Sequence, residues 1–251
     1  SEFSGLIFKI QANMNRAHRD RLAFVRICSG CFKRGMKVHH VRTGRDMRLA
    51  NPTLFLAQER NLVEEAFAGD IIGVFDTGIF QIGDTLTEGS TFEFEKIPSF
   101  APEHFSRLVS LDPMRRKQLS RGIEQLAQEG TVQLYLPPQG LAGEMILGAV
   151  GVLQMEVTKF RLENEYGVKV RLEPLDYQMA RWVSSKDGSA VDLNALRKAC
   201  SGLVVVDVKG RAVVLFEREW SVGFAQDRLS NVAFAETAQG VVVRDGHGKR
   251  R

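Results

Sequence analysis

The hydrophobic pattern of this chain changes period once, near Pro98, and that change limits the folds open to it. Up to Pro98 the apolar residues come in short runs rich in branched and aromatic side chains. These are Leu6–Met14, Leu22–Cys28, Lys37–Arg42, Leu49–Ala57, Ile71–Phe75, Ile79–Ile82 and Thr91–Ile97. Turn residues separate them: Ser29-Gly30, Gly69-Asp70, Thr77-Gly78, Gly83-Asp84 and Glu88-Gly89. Many short strands with no helix between them predict a small β-barrel, because closing a sheet removes its exposed edges. An open sandwich is the nearest competitor.

After Pro98 strands alternate with helices. Phe105–Ser110 reads as a strand, and Asp112-Pro113 starts a helix, since Asp caps free amides and Pro fits the first helical position. Leu119, Ile123, Leu126 and Ala127 form its apolar stripe, and Gly130 ends it. Strands at Thr131–Leu136 and Met145–Val150 follow. Next comes a helix carrying Leu153, Val157 and Phe160 on one face, and then a strand at Val168–Leu172. The order β-α-β-β-α-β predicts a ferredoxin-like arrangement. It recurs more weakly in Ala180–Ser184, Asp192–Cys200, Leu203–Asp207, Ala212–Phe216, Trp220–Leu229 and Asn231–Ala235. This is either a second α/β unit or an elaboration sharing one sheet with the first. The expected division is therefore a β-barrel over 5–98 and an α+β domain over 99–237. Residues 1–4 read as a cloning scar, and 238–251 as a frayed basic tail.

At 44% hydrophobic and 25% charged residues, the chain is rich enough in apolar side chains to bury a core. No apolar run approaches a membrane span, so no membrane partner is expected. Three cysteines, Cys28, Cys31 and Cys200, are too few for a disulfide framework and fit a cytoplasmic protein. The Cys28-Ser-Gly-Cys31 spacing suits a metal site, but a second ligand pair at zinc spacing is missing, so no metal is expected. Net charge is only +4 but is segregated. From Arg16 to Arg48 ten Lys and Arg stand against two Asp, a balance of +8. From Gln58 to Glu103 ten Asp and Glu stand against two cations, a balance of −8. Either the two stretches make faces of opposite sign, or ion pairs between them cancel the field.

The basic stretch holds the candidate contact site. Val41-Arg-Thr-Gly-Arg-Asp-Met-Arg48 sets Arg42, Thr43, Arg45 and Arg48 around a Gly turn, either a loop able to straddle phosphates or an ordinary solvated hairpin. No aromatic stacking positions accompany it, so an RNA contact there would be to backbone rather than bases. No catalytic triad is evident. Asp207-Val-Lys-Gly210 matches the short DxxG pattern of guanine-nucleotide switches, but no GxxxxGK[ST] loop or NKxD accompanies it. No catalytic or nucleotide-binding residue is therefore expected in this chain.

Three segments carry a resemblance. Lys9–Val38 (KIQANMNRAHRDRLAFVRICSGCFKRGMKV) and Ala68–Gly89 (AGDIIGVFDTGIFQIGDTLTEG) resemble the second domain of the peptide chain release factor 3 family of translational GTPases. Ile97–Tyr135 and Gly148–Val168 resemble that family's third domain, and Ala149-Val-Gly-Val-Leu-Gln154 is closer to it than to elongation factor G. The resemblance implies a domain II-like barrel followed by a domain III-like α+β domain, with the family's GTPase domain absent from this chain. It implies a ribosomal role at termination, speeding departure of class I release factors. GTP and Mg would then be cofactors of the full-length factor only. Expected partners are small-subunit RNA and protein, the class I release factors and the factor's own GTPase domain. A fragment of an elongation factor G-like or ribosome-protection factor, and a free-standing α/β interaction module, are the alternatives.

Overall fold

A computed structural model describes residues 1–12, 21–49 and 64–238 in full, and the backbone of 53–56 and 59–62. Arg16, Arg19 and the tail from residue 239 lie outside the described residues. The chain divides into two compact units, Ser1–Pro98 and Ser99–Arg251.

The first unit is a β-barrel of short antiparallel strands. In chain order these are β1 Ser4–Ala12, β2 Arg21–Ser29, β3 Cys31–Lys33, β4 Lys37–His40, β5 Arg45–Arg48, β6 Thr53–Leu56, β7 Glu59–Leu62, β8 Glu65–Phe67, β9 Ile71–Phe75 and β10 Thr85–Thr87. Eight of them pair in the order β5-β4-β10-β1-β2-β9-β6-β7, and β3 with β8 form a separate ribbon. Alternate residues of the central strands point inward, so Ile7, Val25, Ile27, Phe32, Ile72 and Leu86 meet in one apolar core. Ser29-Gly30 is not a hairpin turn. It is a bend that passes the chain from β2 into β3, at a left-handed φ of 71°. A Cβ on Gly30 would stand 2.6 Å from the Phe3 amide nitrogen, so this crossing requires glycine.

Two expected strands are absent. Ile79–Ile82 forms a loop because carboxylates take the amides that a neighbouring strand would use. Asp76 accepts from Gly78, Ile79 and Phe80, and Asp84 from Gln81. Thr91–Ile97 is also irregular, its Phe94 amide donating to Thr85 Oγ1 at 3.0 Å.

The second unit is one eight-stranded antiparallel sheet built from two consecutive β-α-β-β-α-β repeats. The first is β11 His104–Ser110, α1 Arg116–Gln128, β12 Gln133–Leu136, β13 Met145–Ala149, α2 Val152–Asn164 and β14 Val170–Leu175. The second is β15 Met179–Ser185, α3 Leu193–Ala199, β16 Leu203–Asp207, β17 Ala212–Phe216, α4 Glu219–Arg228 and β18 Val232–Ala235. The sheet order, β14-β11-β13-β12-β16-β17-β15-β18, is the ferredoxin-like order followed by its own reverse. The halves join where their equivalent edge strands pair, Tyr135 opposite Asp207 and Leu136 opposite Val206. An antiparallel join of equivalent strands is a local two-fold normal to the sheet.

Local signals explain the helix ends. Asp112 Oδ1 accepts from the Met114 amide at 2.9 Å ahead of α1, and Asp192 Oδ1 accepts from Asn194 and Ala195 ahead of α3. Leu119, Ile123 and Leu126 of α1 enter the first half's core as expected. Helix α2 differs in phase. Its Leu153 and Phe160 are 73% and 63% exposed, and the inward face is Met155, Thr158 and Leu162. Thr158 tolerates burial because its hydroxyl donates to the Gln154 carbonyl at 2.6 Å. On the helix-free side, Phe105, Tyr135 and Ile146 of the first half pack with Trp182, Val205 and Leu215 of the second.

Candidate nucleic-acid interface

Strands β4 and β5 form a hairpin in which Lys37 faces Arg48 and His40 faces Arg45. Val41–Thr43 makes a single 3-10 turn, closed by Gly44 at a left-handed φ of 64°, whose amide donates to the His40 carbonyl at 2.9 Å. Thr43 Oγ1 donates to the same carbonyl at 3.3 Å. The turn carries Arg42 back toward the loop that holds Asp84.

The four candidate residues do not act alike. Arg42 bends back onto the barrel: its Nε and Nη2 donate to the Asp84 carboxylate at 2.6 and 2.9 Å, and Nη2 also donates to the Ile79 carbonyl. Asp84 accepts in addition from His40 Nε2 at 2.8 Å and from the Gln81 amide. Burial pushes the Asp84 carboxyl upward, but the hydrogen bonds from His40, Arg42 and Gln81 outweigh it and hold the group at about 2. The His40 ring is fully buried and its Nδ1 has no partner among the described residues. With Asp84 ionised, Nε2 is the donor in this bond.

Arg45 is exposed and makes no side-chain hydrogen bond or ion pair among the described residues. Arg48 is exposed and donates to the Gly35 carbonyl at 3.1 Å. Asp46 between them is answered by Lys37 at 2.7 Å and His39 at 2.8 Å, whose hydrogen bonds lower its pKa. The acidic stretch does cancel part of the basic field: Arg21 pairs with Asp76, Lys33 with Glu65, Arg34 with Glu64 and Arg42 with Asp84. What stays outward on this hairpin is Arg45 and Arg48, with Thr43 half-buried at the turn.

Local sequence points to Arg42 together with Thr43, Arg45 and Arg48, but not to the Asp84–His40 pair that holds Arg42. The one signal for that pair is Gly83-Asp84, which on its own indicates only a turn. Cys28 and Cys31 hydrogen-bond to nearby carbonyls, and no three His, Cys, Asp or Glu converge among the described residues. No described helix is long and apolar enough to cross a membrane.

Comparison with known proteins agrees with this architecture in both units. Residues 2–89 match the family described as elongation factor G domain 2, and residues 94–226 match class II release factor RF3, C-terminal domain. The chain is 49% identical over 237 residues to a peptide chain release factor 3 of Symbiobacterium thermophilum, covering 94% of this chain and 44% of that protein. It is 48% identical over 232 residues to one of Listeria monocytogenes serotype 4a, covering 92% of this chain and 43% of that one. It therefore spans less than half the length of the curated relatives it matches. A crystal structure of a Thermus thermophilus protein shares the fold at 23% identity, with a TM-score of 0.59 over 74% of this chain and 29% of its own. The chain belongs to the class II release factor 3 family, and what it contains is that family's second-domain barrel and its carboxy-terminal domain.

Proposed function

We propose that this chain is the ribosome-docking portion of a cytoplasmic termination factor that promotes GTP-dependent dissociation of class I release factors. The GTPase domain, with its GTP and Mg, belongs in this reading to the part of the relatives' length that the chain does not span. The partners are small-subunit RNA and protein. The hairpin β4–β5 meets RNA phosphates through Arg45 and Arg48, while Thr43 offers a hydroxyl at the turn. Arg42 acts indirectly, as a brace.

One observation carries this assignment of roles: Arg42 spends its donors on Asp84 and Ile79, whereas Arg45 is exposed without a side-chain partner among the described residues. A guanidinium free of carboxylates retains its forked donors for a phosphate. The test is ribosome association of the full-length factor carrying Arg45→Ala and Arg48→Ala, measured at several salt concentrations. Each lost phosphate contact should lower the log–log salt slope by about one unit or slightly less. An unchanged slope with wild-type affinity would remove the hairpin from the RNA interface.

A further inference from the structure

Strand β12 stops at Leu136, and beyond that point the edge of β16 has no neighbour in the sheet. In the β12–β16 ladder only Tyr135–Asp207 and Leu136–Val206 are paired. The Asp207 amide donates to the Arg211 carbonyl at 3.0 Å, on the β17 side. By the alternation of an antiparallel ladder, the amide and carbonyl of Val206, and those of Val204, then face β12. Continuing the register sets Pro138 opposite Val204. Pro138 has no N–H to give, and its carbonyl already accepts from the Leu141 amide at 3.0 Å. The buried Val204 therefore has no ladder partner on that side among the described residues.

A cavity of about 590 Å³ opens at this edge, and its walls differ on the two faces of the sheet. Ile146 and Val205 belong to the apolar cluster on the helix-free side, and Pro137 and Leu141 add to the apolar lining. Val204 belongs with Leu196 of α3 on the opposite side, where Arg197 of the same helix stands on the wall. Glu144 also lines the cavity, its carboxylate 2.7 Å from Arg107, which reaches Glu173 at 3.4 Å as well. An anionic occupant would meet Glu144, and a cationic one would meet Arg197. A neutral occupant meets neither penalty.

We propose that this is a peptide-binding groove, in which an uncharged extended segment of another protein adds to β16 as an antiparallel strand. The residue opposite Val204 supplies the N–H and C=O that Pro138 cannot, exchanging both ladder bonds. Its side chain lies on the same face as that of Val204, the face of Arg197, where a hydroxyl can accept from the guanidinium. The residues before and after it face the other way, beside Val205 and Ile146, and are apolar. The preferred sequence is thus apolar–hydroxyl–apolar.

Titration of the 251-residue chain with the blocked peptide acetyl-Ser-Val-Thr-Val-Ser-amide, followed by amide resonances, tests this. Val204 and Val205 should shift saturably, and the Val204 amide should exchange about tenfold or more slowly in the bound form, while Ala23 and Val25 of the barrel stay unmoved. The same peptide N-methylated at its threonine has no donor for the Val204 carbonyl and should bind about tenfold or more weakly. Leu141→Asp removes part of the apolar wall and should weaken binding to a similar degree, with Val213 and Val214 resonances unchanged as a check on folding. No saturable shift at millimolar peptide, or equal binding of the N-methylated analogue, overturns the proposal. So do shifts at Val204 that grow with protein concentration in the absence of peptide, which mark a second copy as the occupant.

Discussion

Arg42 grips Asp84 through two nitrogens, at 2.6 and 2.9 Å, and this pair ties the β4–β5 turn to the loop that precedes β10. The other end of that loop is held in the same way, by Arg21 on Asp76 at 2.5 Å with a further bond from Arg21 to the Phe80 carbonyl. Two Asp–Arg clamps thus replace a strand in Asp76–Asp84. Arg42→Ala removes two charge-assisted bonds and leaves a buried carboxylate to His40 and Gln81. Discounted for the one-third exposure of Arg42, the expected loss is about 1–3 kcal/mol. Arg45→Ala should stay within about 0.5 kcal/mol. Urea unfolding of both variants, followed by amide resonances of β4 and β10, checks the contrast.

The same carboxylate gives the barrel an acid limit. Asp84 is held at about 2 in the folded state, below the ordinary range of an unfolded aspartate. Its contribution is therefore complete above about pH 4 and is lost as pH falls toward 2, amounting to about 2 kcal/mol. The stability difference between the natural chain and Asp84→Asn should be present at pH 5 and largely gone at pH 2.5. A difference that is the same at both values would show that Asp84 keeps no depressed pKa.

Helix α2 supplies a test of which apolar face is inside. Leu162 is fully buried in the first half's core, so Leu162→Ala should cost about 2–5 kcal/mol. Phe160 is 63% exposed, so Phe160→Ser should change stability by no more than about 0.5 kcal/mol. Denaturant unfolding monitored through Trp182, buried in the same unit, reads both.

These cases show where sequence reasoning succeeds and where it stops. Helix α1 was legible because one face is apolar and the rest polar, with Asp112-Pro113 marking its start. Helix α2 has two candidate stripes, Leu153–Val157–Phe160 and Met155–Thr158–Leu162, both at helical spacing. The polar-looking Thr158 hides the inward one, since its hydroxyl is satisfied within the helix. The shared sheet was visible as a recurring element order, but not the join, because β12 and β16 pair through only two residues each. At the hairpin, local sequence placed Arg42, Thr43, Arg45 and Arg48 around Gly44. It could not separate Arg42 from Arg45, because the partner that does so, Asp84, lies 42 residues away.

The Asp207-Val-Lys-Gly210 spacing finds its explanation in the same long-range terms. Asp207 Oδ1 accepts from the Lys209 and Arg211 amides at 2.9 and 3.0 Å, and Gly210 turns the β16–β17 hairpin at a φ of 76°. Oδ2 accepts from Trp182 Nε1 at 3.0 Å and from Arg211 Nε at 2.7 Å. The carboxylate is fully engaged in holding a hairpin and an indole, so the pattern is spent on structure. Asp207→Ala strands the buried Trp182 N–H and the Arg211 charge and should cost about 3–5 kcal/mol. Asp207→Asn keeps an acceptor for the turn amides and should cost less. Thermal unfolding with Trp fluorescence orders the two variants, and the wild-type indole emission should shift once its bond to Asp207 is gone. Calorimetric titration of the 251-residue chain with GTP and Mg should be flat. Stoichiometric binding lost in Asp207→Asn would instead assign this hairpin to nucleotide.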